Sequence, residues 1–304
     1  MTDPLRPATP PPDGYTVPQN LPQNPGQLGY DPLVSQDFGG WWERGMAVVR
    51  LGWRKLALLQ SLGVVAVLLV NVPTTIKLHH LKNSATSADS ASALDTSAVF
   101  AVLGYTLLSL FVTIMVSYVI ALAAIHLSMA IVTGTTPKLG TAIRGAGRRV
   151  FALLGWQLAA GLLLLVGACA CILPALFFAA VFTMLPTVVA FERGHVIRRC
   201  FQLFLGDRGA AAARAATMLG LAVAGGAAGM LVGSLFTALA AGLVAGPTGV
   251  LLGAVTTTVL SAVVTGAVAV VTTPLTLVTY ADLRARIEPC STGLLATELG
   301  LNLA

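Results

Sequence analysis

Four long stretches of the chain contain no Asp, Glu, Lys or Arg, and they hold most of its apolar residues. They cover residues 56–76, 96–137, 150–191 and 215–281. An apolar run of about 18 or more residues is long enough to cross a bilayer as a helix. The apolar residues are continuous rather than alternating with polar ones, which favours helices over the strands of a β-barrel. The pattern therefore predicts an all-α integral membrane protein.

Turn signals inside these stretches set the number of spans. The first stretch fits one span that ends near Pro73, and the second has no Gly or Pro between Tyr105 and Thr133, which predicts a single long helix. The third is broken near Pro174, which is tolerated in a first helical turn, and the fourth at residues 245–249. The six predicted spans cover residues 56–73, 98–132, 151–169, 173–191, 212–243 and 250–281.

The distribution of charge predicts how the six spans are oriented in the membrane. Only 10% of the residues are charged, where a soluble domain has about a quarter. With six spans nearly all basic residues fall on one side, and only Lys77 and Lys82 lie opposite. Basic loops stay in the cytoplasm, so we expect a multi-pass membrane protein with both termini cytoplasmic. The net charge of +6 flanks apolar runs instead of forming a groove, so we expect no nucleic-acid partner.

The two ends of the chain lie outside this membrane domain, which we assign to residues 38–288. Residues 1–37 contain nine of the sixteen prolines and predict a disordered, Pro-rich cytoplasmic tail. Their polar character also predicts no signal peptide. Residues 289–304 are expected to form a second, short cytoplasmic tail.

A basic segment precedes each odd-numbered span, at residues 38–55, 138–149 and 195–208. In the first, aromatic and apolar residues recur at steps of three and four, which predicts a helix with one apolar face. Thr136 before Pro137 resembles an N-cap followed by proline in the first turn, so the second segment is also predicted to start as a helix. The predicted unit is a basic amphipathic helix followed by a two-span hairpin, repeated three times.

These basic helices have two compatible interpretations. They can act as cytoplasmic collars that fix the topology, or they can bind anionic lipid headgroups, since each basic residue near such a surface contributes about 1 kcal/mol. The predicted anionic-lipid contacts are Arg50, Arg54, Lys55, Arg144, Arg148, Arg149, Arg198 and Arg199.

Residues that could carry chemistry are scarce. His126 is the one strongly ionisable side chain inside the four charge-free stretches and is therefore a candidate intramembrane polar site. The alternative is a neutral histidine bonded to Ser128, Thr133 or a neighbouring carbonyl. Cys169 and Cys171 lack a companion His or second Cys pair, so no metal site is predicted, and we identify no catalytic or cofactor-binding constellation.

Small residues and prolines inside the spans have structural and functional interpretations. Gly225, Gly229 and Gly233 form a ridge on the fifth span that permits close helix packing, within the bundle or between two copies. Pro186 and Pro274 lie near the cytoplasmic ends of the fourth and sixth spans. Broken helices can build transport sites, but without an intramembrane charge ordinary kinks are the simpler interpretation.

Two segments resemble a known family. Residues 185–204 (LPTVVAFERGHVIRRCFQLF) and 273–288 (TPLTLVTYADLRARIE) are similar to segments of six-span bacterial proteins related to the membrane domain of glycerophosphoryl diester phosphodiesterases and to YciC-like proteins. The high Gly and Ala content is typical of actinobacterial proteins. Cys200 stands where the family usually has Ser. Because most such proteins have no assigned activity, the resemblance implies a six-span fold and a location in a bacterial plasma membrane rather than a reaction.

We therefore expect a non-enzymatic integral membrane protein, a scaffold or interaction protein in envelope or lipid homeostasis. The alternatives are a transporter of a small or lipidic substrate and a membrane accessory of a separate glycerophosphodiester phosphodiesterase. The expected partners are the lipid bilayer, with anionic lipids, and a membrane or cytoplasmic protein; no cofactor is expected.

Overall fold

The structure is a computed structural model that describes residues 31–35, 37–86, 96–135, 139–244 and 246–301. Every regular element in these residues is an α-helix, and no β-strand occurs among them. The helices are α1 (Phe38–Thr86), α2 (Thr96–Val132), α3 (Leu139–Gly147), α4 (Val150–Ala170), α5 (Ile172–Phe182), α6 (Leu185–Phe191), α7 (Val196–Gly206), α8 (Arg208–Leu243), α9 (Pro247–Ala285) and α10 (Thr292–Glu298).

Six helical stretches are long and apolar enough to cross a membrane, which confirms the predicted fold class. α1, α2, α4, α8 and α9 each provide one, and α5 together with α6 provides the sixth. The six stretches are Phe38–Leu81, Val99–Val132, Val150–Ala170, Ile172–Phe191, Arg208–Leu243 and Pro247–Ala285.

The first helix differs from its prediction. The structure joins the basic segment at 38–55 and the first span into one helix that continues through Pro73 to Thr86. Proline lacks the backbone N–H that would bond the carbonyl oxygen of Leu69, four residues earlier, a loss that transmembrane helices tolerate. The hydroxyls of Thr74 and Thr75 donate to the next two carbonyl oxygens, those of Val70 and Asn71, at 2.7 and 2.8 Å. The other two basic segments form the separate helices α3 and α7, although residues 136–138, with the predicted N-cap, lie outside the described residues.

Neighbouring long helices run antiparallel. Gly45 near the start of α1 packs against Leu275 near the end of α9, whereas Val64, further along α1, lies against Gly266 of α9. The same relation holds between α1 and α2, since Gly52 contacts Ile131. The start of α1 and the ends of α2 and α9 therefore share one end of the bundle. We call it the charged end, because it also holds the ion pairs of α7, α9 and α10.

The densest core lies towards this charged end. Buried apolar residues concentrate in residues 120–132 of α2, 181–191 of α5 and α6, and 275–283 of α9. Towards the other end, apolar side chains are exposed, such as Leu69 and Met230, each at 73%. Exposed apolar surface of this extent on long apolar helices is the surface that lipid covers.

α8 and α9 pack through small residues along most of their length. A side chain added at Gly225 would meet Val268, and one at Gly233 would meet Thr257. The Thr257 hydroxyl lies 2.9 Å from that of Thr237 and donates to the Gly233 carbonyl oxygen at 3.0 Å. The ridge therefore packs within the bundle, as the first of its two interpretations proposes.

Residues of both predicted tails pack against the bundle. Leu33, which precedes α1, is fully buried. At the other end, α10 buries Leu295 and Ala296 completely. The apolar residues that fix these segments are too few to form a periodic pattern. Residues 1–30 of the predicted disordered tail lie outside the described residues.

Replacing Gly253 of α9 by alanine should destabilise the α8–α9 pair. The added Cβ would lie 2.8 Å from Cα of Thr237, and backbone yields less than a flexible side chain. We expect a loss of about 1–3 kcal/mol, the usual result of overpacking. Thermal unfolding in detergent, with size-exclusion chromatography as the readout, measures this loss of stability. Gly226→Ala is the matched control, because Gly226 faces open space; equal melting temperatures for both variants would contradict the packing interpretation.

Candidate functional site: an ionic cluster at the charged end

The two segments that carry the family resemblance meet at the charged end of the bundle. One covers α6 and α7, and the other covers the last turns of α9. Their charged side chains form two groups of ion pairs with side chains of α8 and α10, one around Glu192, Arg199 and Arg284 and one around Asp282; we call the two groups together the ionic cluster. Its members are Glu192, Arg199, Asp207, Arg214, Tyr280, Asp282, Arg284, Arg286, Glu288 and Glu298.

Glu192, at the end of α6, connects the two segments. Its Oε1 accepts from Nε of Arg199 at 2.8 Å and from the Tyr280 hydroxyl at 2.9 Å. Arg199 also pairs with Glu288, just beyond α9. The rings of Tyr280 and Phe191 stack with centroids 5.0 Å apart, which sets the position of the hydroxyl.

Arg284 ties α10 to the end of α9. Its NH1 and NH2 groups donate to the two carboxylate oxygens of Glu298 at 2.6 and 2.8 Å. This two-point geometry is the one that a planar guanidinium prefers with a carboxylate. Arg284 also pairs with Glu288 and donates to the Tyr280 hydroxyl at 3.1 Å, so one arginine holds three partners.

Asp282 is the most deeply buried acid of the ionic cluster, with 0% of its side chain exposed. Its carboxylate accepts from NH2 of Arg214 at 2.7 Å, from Nε of Arg286 at 3.3 Å and from the backbone N–H of Ser35 at 3.0 Å. The Arg214 side chain is only 2% exposed. A buried charge is tolerated only with close, well-directed partners, and Asp282 has three.

Hydrogen bonds hold the segment before α1 in the same region. Asp31 accepts from the backbone N–H of Thr292 at 2.6 Å and also from its hydroxyl. The Trp41 indole donates to the Thr279 hydroxyl at 2.9 Å, and its ring lies 5.9 Å from the Arg214 guanidinium carbon. The ionic cluster therefore organises both ends of the described chain.

The electrostatics of the cluster members outside the spans favour their charged forms. Burial would lower the pKa of Arg199, but Glu192 and Glu288 raise it above its usual value. Partial burial would raise the pKa of Glu288, but Arg284 and Arg199 hold it below its usual value. The N–H of Ala210 and then Arg286 lower the pKa of Asp207. These groups stay ionised at neutral pH, so they act as ion-pair partners rather than as proton carriers.

A cavity of about 150 Å³ opens beside the ionic cluster. Its charged lining consists of Asp37 and Asp207 against Arg214 and Arg286, two groups of each sign. Within the cluster as a whole, four arginines face five carboxylates. Because the cavity lining carries two charges of each sign, it favours neither an anion nor a cation.

The structure divides the predicted lipid contacts into two groups. Arg149 is half-buried and donates to the carbonyl oxygens of Val189, at 2.9 Å, and Ala190, which the end of α6 leaves without helical partners. Arg199 belongs to the ionic cluster. Their internal partners argue against lipid contact for these two. The exposed members are Arg50, Arg54, Lys55, Arg144, Arg148 and Arg198.

His126 has a local partner of the kind that its alternative interpretation proposes. Its Nδ1 lies 2.8 Å from the carbonyl oxygen of Leu122, one turn earlier in α2. The other side of the ring faces α3, where a Cβ added at Gly145 would lie 3.4 Å from Nε2. This arrangement makes His126 a packing contact between α2 and α3.

The thiols and potential metal ligands do not converge. In the described residues, no three His, Cys, Asp or Glu side chains form a group that could hold a metal ion. Cys169 and Cys171 are exposed at the turn between α4 and α5, whereas Cys200 is buried. Burial raises the pKa of the Cys200 thiol to about 12 and that of Cys290 to about 11.

No family model, curated protein or solved structure matches this chain. The resemblance of residues 185–204 and 273–288 therefore stays an expectation. Sequence reasoning did not identify the Arg214–Asp282 pair, although a signal was present. These two residues bound the fourth charge-free stretch, and the ends of a two-span hairpin lie at the same end of the bundle.

The Arg214–Asp282 pair should show strong coupling in a double-mutant cycle. Arg214→Met and Asp282→Asn each leave a buried charge without its main partner, so we expect each to cost about 3–5 kcal/mol. The double variant should cost less than the sum, because neither charge is then stranded. Melting temperatures in detergent measure the cycle. Arg214→Lys keeps the charge and provides a milder variant if the others fail to fold; additive losses would contradict the coupling.

Thiol reactivity should separate the buried from the exposed cysteines. A thiol with a pKa of about 12 has almost no thiolate at pH 8, and Cys200 is also shielded from reagents. In single-cysteine variants, we expect Cys200 to react with a maleimide only after denaturation, and Cys169 to react in the folded protein. Mass spectrometry measures the labelled fraction. Rapid native labelling of Cys200 would show that α7 is not packed as the structure has it.

Proposed function

We propose that this chain is a non-enzymatic scaffold or interaction protein of a bacterial plasma membrane, serving envelope or lipid homeostasis. One observation carries the proposal. Most charged groups of residues 185–204 and 273–288 form ion pairs within the ionic cluster, whereas basic side chains such as Arg144, Arg148 and Arg198 are exposed. Such a cluster fixes a shape, and the exposed side chains offer a surface to a partner.

The exposed faces support a membrane boundary near the charged end. On α1, exposed Lys55 is followed by exposed Leu58, and in the turn before α4 exposed Arg148 is followed by Phe151 of α4, which is 72% exposed. A change from basic to apolar within one turn is typical of a helix that leaves the headgroup region for the acyl chains. The positive-inside rule then supports an orientation with the charged end in the cytoplasm.

Two polar contacts between spans support a scaffold role. Asn71 of α1 accepts a hydrogen bond from Ser109 of α2 at 3.0 Å, and Thr257 of α9 bonds to α8. Such bonds hold transmembrane helices together. A transport path needs polar groups that turn towards a substrate, whereas these groups turn towards each other.

The exposed face of α3 is a suitable surface for a protein partner. α3 packs on α2 through the small buried residues Ala142 and Ala146. Arg144 is exposed on the other side of α3, and Arg148 is exposed directly after the helix. A short basic helix held by small residues favours an acidic partner surface, and a lipid phosphodiesterase is one partner that the resemblance suggests.

Affinity purification from native membranes tests the proposal. We expect one or more proteins to co-purify with the wild-type chain and to be lost with Arg144→Glu/Arg148→Glu, because charge reversal repels an acidic surface. Quantitative mass spectrometry measures the enrichment. Arg198→Glu/Arg208→Glu is the matched control, since it makes the same charge change at other exposed positions.

The proposal is wrong if no protein is enriched over control membranes and the purified chain moves a solute across proteoliposomes. It also fails for the α3 surface if both double variants lose the partner equally, because the effect then comes from net charge alone.

A further inference from the structure

A basic and aromatic patch on α1 stands apart from the ionic cluster. It consists of Arg50, Trp53, Arg54 and Lys55, which we call the headgroup patch, and all four side chains are exposed. The patch surrounds a surface depression of about 270 Å³. Unlike the arginines of the ionic cluster, its three cations pair with no carboxylate in the described part of the chain.

The packing of α1 holds the headgroup patch at a fixed orientation. Gly52 lies against Ile131 of α2, and Leu56 and Leu59 are fully buried on the same side of the helix. Because residues three and four apart share a helical face, Arg50, Trp53 and Arg54 point together away from that contact. The core thus presents Arg50, Trp53 and Arg54 together, and the exposed Lys55 borders them on the adjacent face of α1.

Trp53 and Arg54 are also arranged with respect to each other. The guanidinium carbon of Arg54 lies 5.5 Å from the centre of the Trp53 ring, within the range of a cation–π interaction. This contact restricts the guanidinium without neutralising it. The tryptophan itself belongs to the residue type that is enriched at the membrane–water interface.

The position along α1 places the patch at the level of lipid phosphates. Leu58, Leu62 and Leu69 follow it with 61%, 48% and 73% of their surface exposed, on a helix that is apolar enough to span a membrane. Lys55 precedes Leu58 by three residues, which is about 4.5 Å along the axis. Basic residues directly beside a lipid-facing stretch lie where the phosphate groups are.

We propose that the headgroup patch binds the phosphate of an anionic phospholipid, with Arg50, Arg54 and Lys55 as charge partners and Trp53 as the aromatic wall. The inference rests on the membrane placement proposed above, but not on the scaffold role. It also separates this patch from the other exposed arginines, since three cations within six residues and a tryptophan occur together here.

Lipid retention measured by native mass spectrometry tests the proposal. The full chain is taken from nanodiscs that contain equal amounts of phosphatidylglycerol and phosphatidylcholine. We expect the wild type to retain phosphatidylglycerol preferentially and Arg50→Gln/Arg54→Gln/Lys55→Gln to lose about tenfold of that preference, since each charge contributes about fivefold at most. Trp53→Leu should lose about two- to threefold, because the ring orients one guanidinium.

The matched control is Arg144→Gln/Arg148→Gln/Arg198→Gln, which removes three exposed charges elsewhere. It should keep the preference for phosphatidylglycerol. Equal losses in the two triple variants would overturn the proposal in favour of non-specific attraction, and an unchanged preference in the patch variant would overturn it outright.

Inorganic phosphate at constant ionic strength distinguishes a lipid from a free anion. We expect it to leave phosphatidylglycerol retention unchanged, because the membrane holds the headgroup beside the patch. If it displaces the lipid, the site is one for free phosphate and the proposal is wrong. The partner captured at Arg144 and Arg148 should remain with the patch variant, so a failure here is separable from a failure of the scaffold role.

Discussion

The buried carboxylate of Asp282 is the constraint on which the charged end depends. A fully buried carboxylate costs several kcal/mol unless charged and hydrogen-bonded partners surround it. Its partners come from three parts of the chain: Arg214 from α8, Arg286 from just beyond α9, and the N–H of Ser35 from the segment before α1. The start of α8 and the segment before α1 must therefore lie beside the end of α9.

The two halves of the bundle are stabilised in different ways. Near the charged end, buried side chains and ion pairs form a core like that of a soluble domain. Towards the other end, helices meet through glycine and threonine, as at Gly233 and Thr257, and the remaining apolar surface faces outward. Lipid is as apolar as leucine, so close approach and hydrogen bonds replace hydrophobic burial as the source of helix association there.

The features that can be predicted from the sequence are those that the surrounding lipid and water determine. Charge-free stretches give six spans because lipid excludes charge along a whole helix, whatever its neighbours are. The first helix continues past Pro73 to Thr86, because one proline near the end of a membrane helix does not force a break. The packing of the tail segments rests on single contacts, such as that of Ser35 with Asp282, which leave no periodic pattern. Pairing inside the ionic cluster depends on the tertiary arrangement, which composition does not contain.

The difference between structural and exposed arginines follows from helical register. Successive helical residues are rotated by about 100°, so two adjacent arginines cannot face the same neighbour. At 198–199 in α7 the second arginine therefore turns inward to Glu192, while the first remains exposed, and the turn at 148–149 between α3 and α4 likewise directs Arg149 to the end of α6 and leaves Arg148 exposed. In each of these arginine pairs, one side chain stabilises the fold through internal partners and the other is exposed at the surface. On α1, Arg50 and Arg54 are four residues apart, so both fall on the outward face. That spacing explains why this helix presents a patch where the arginine pairs present single charges.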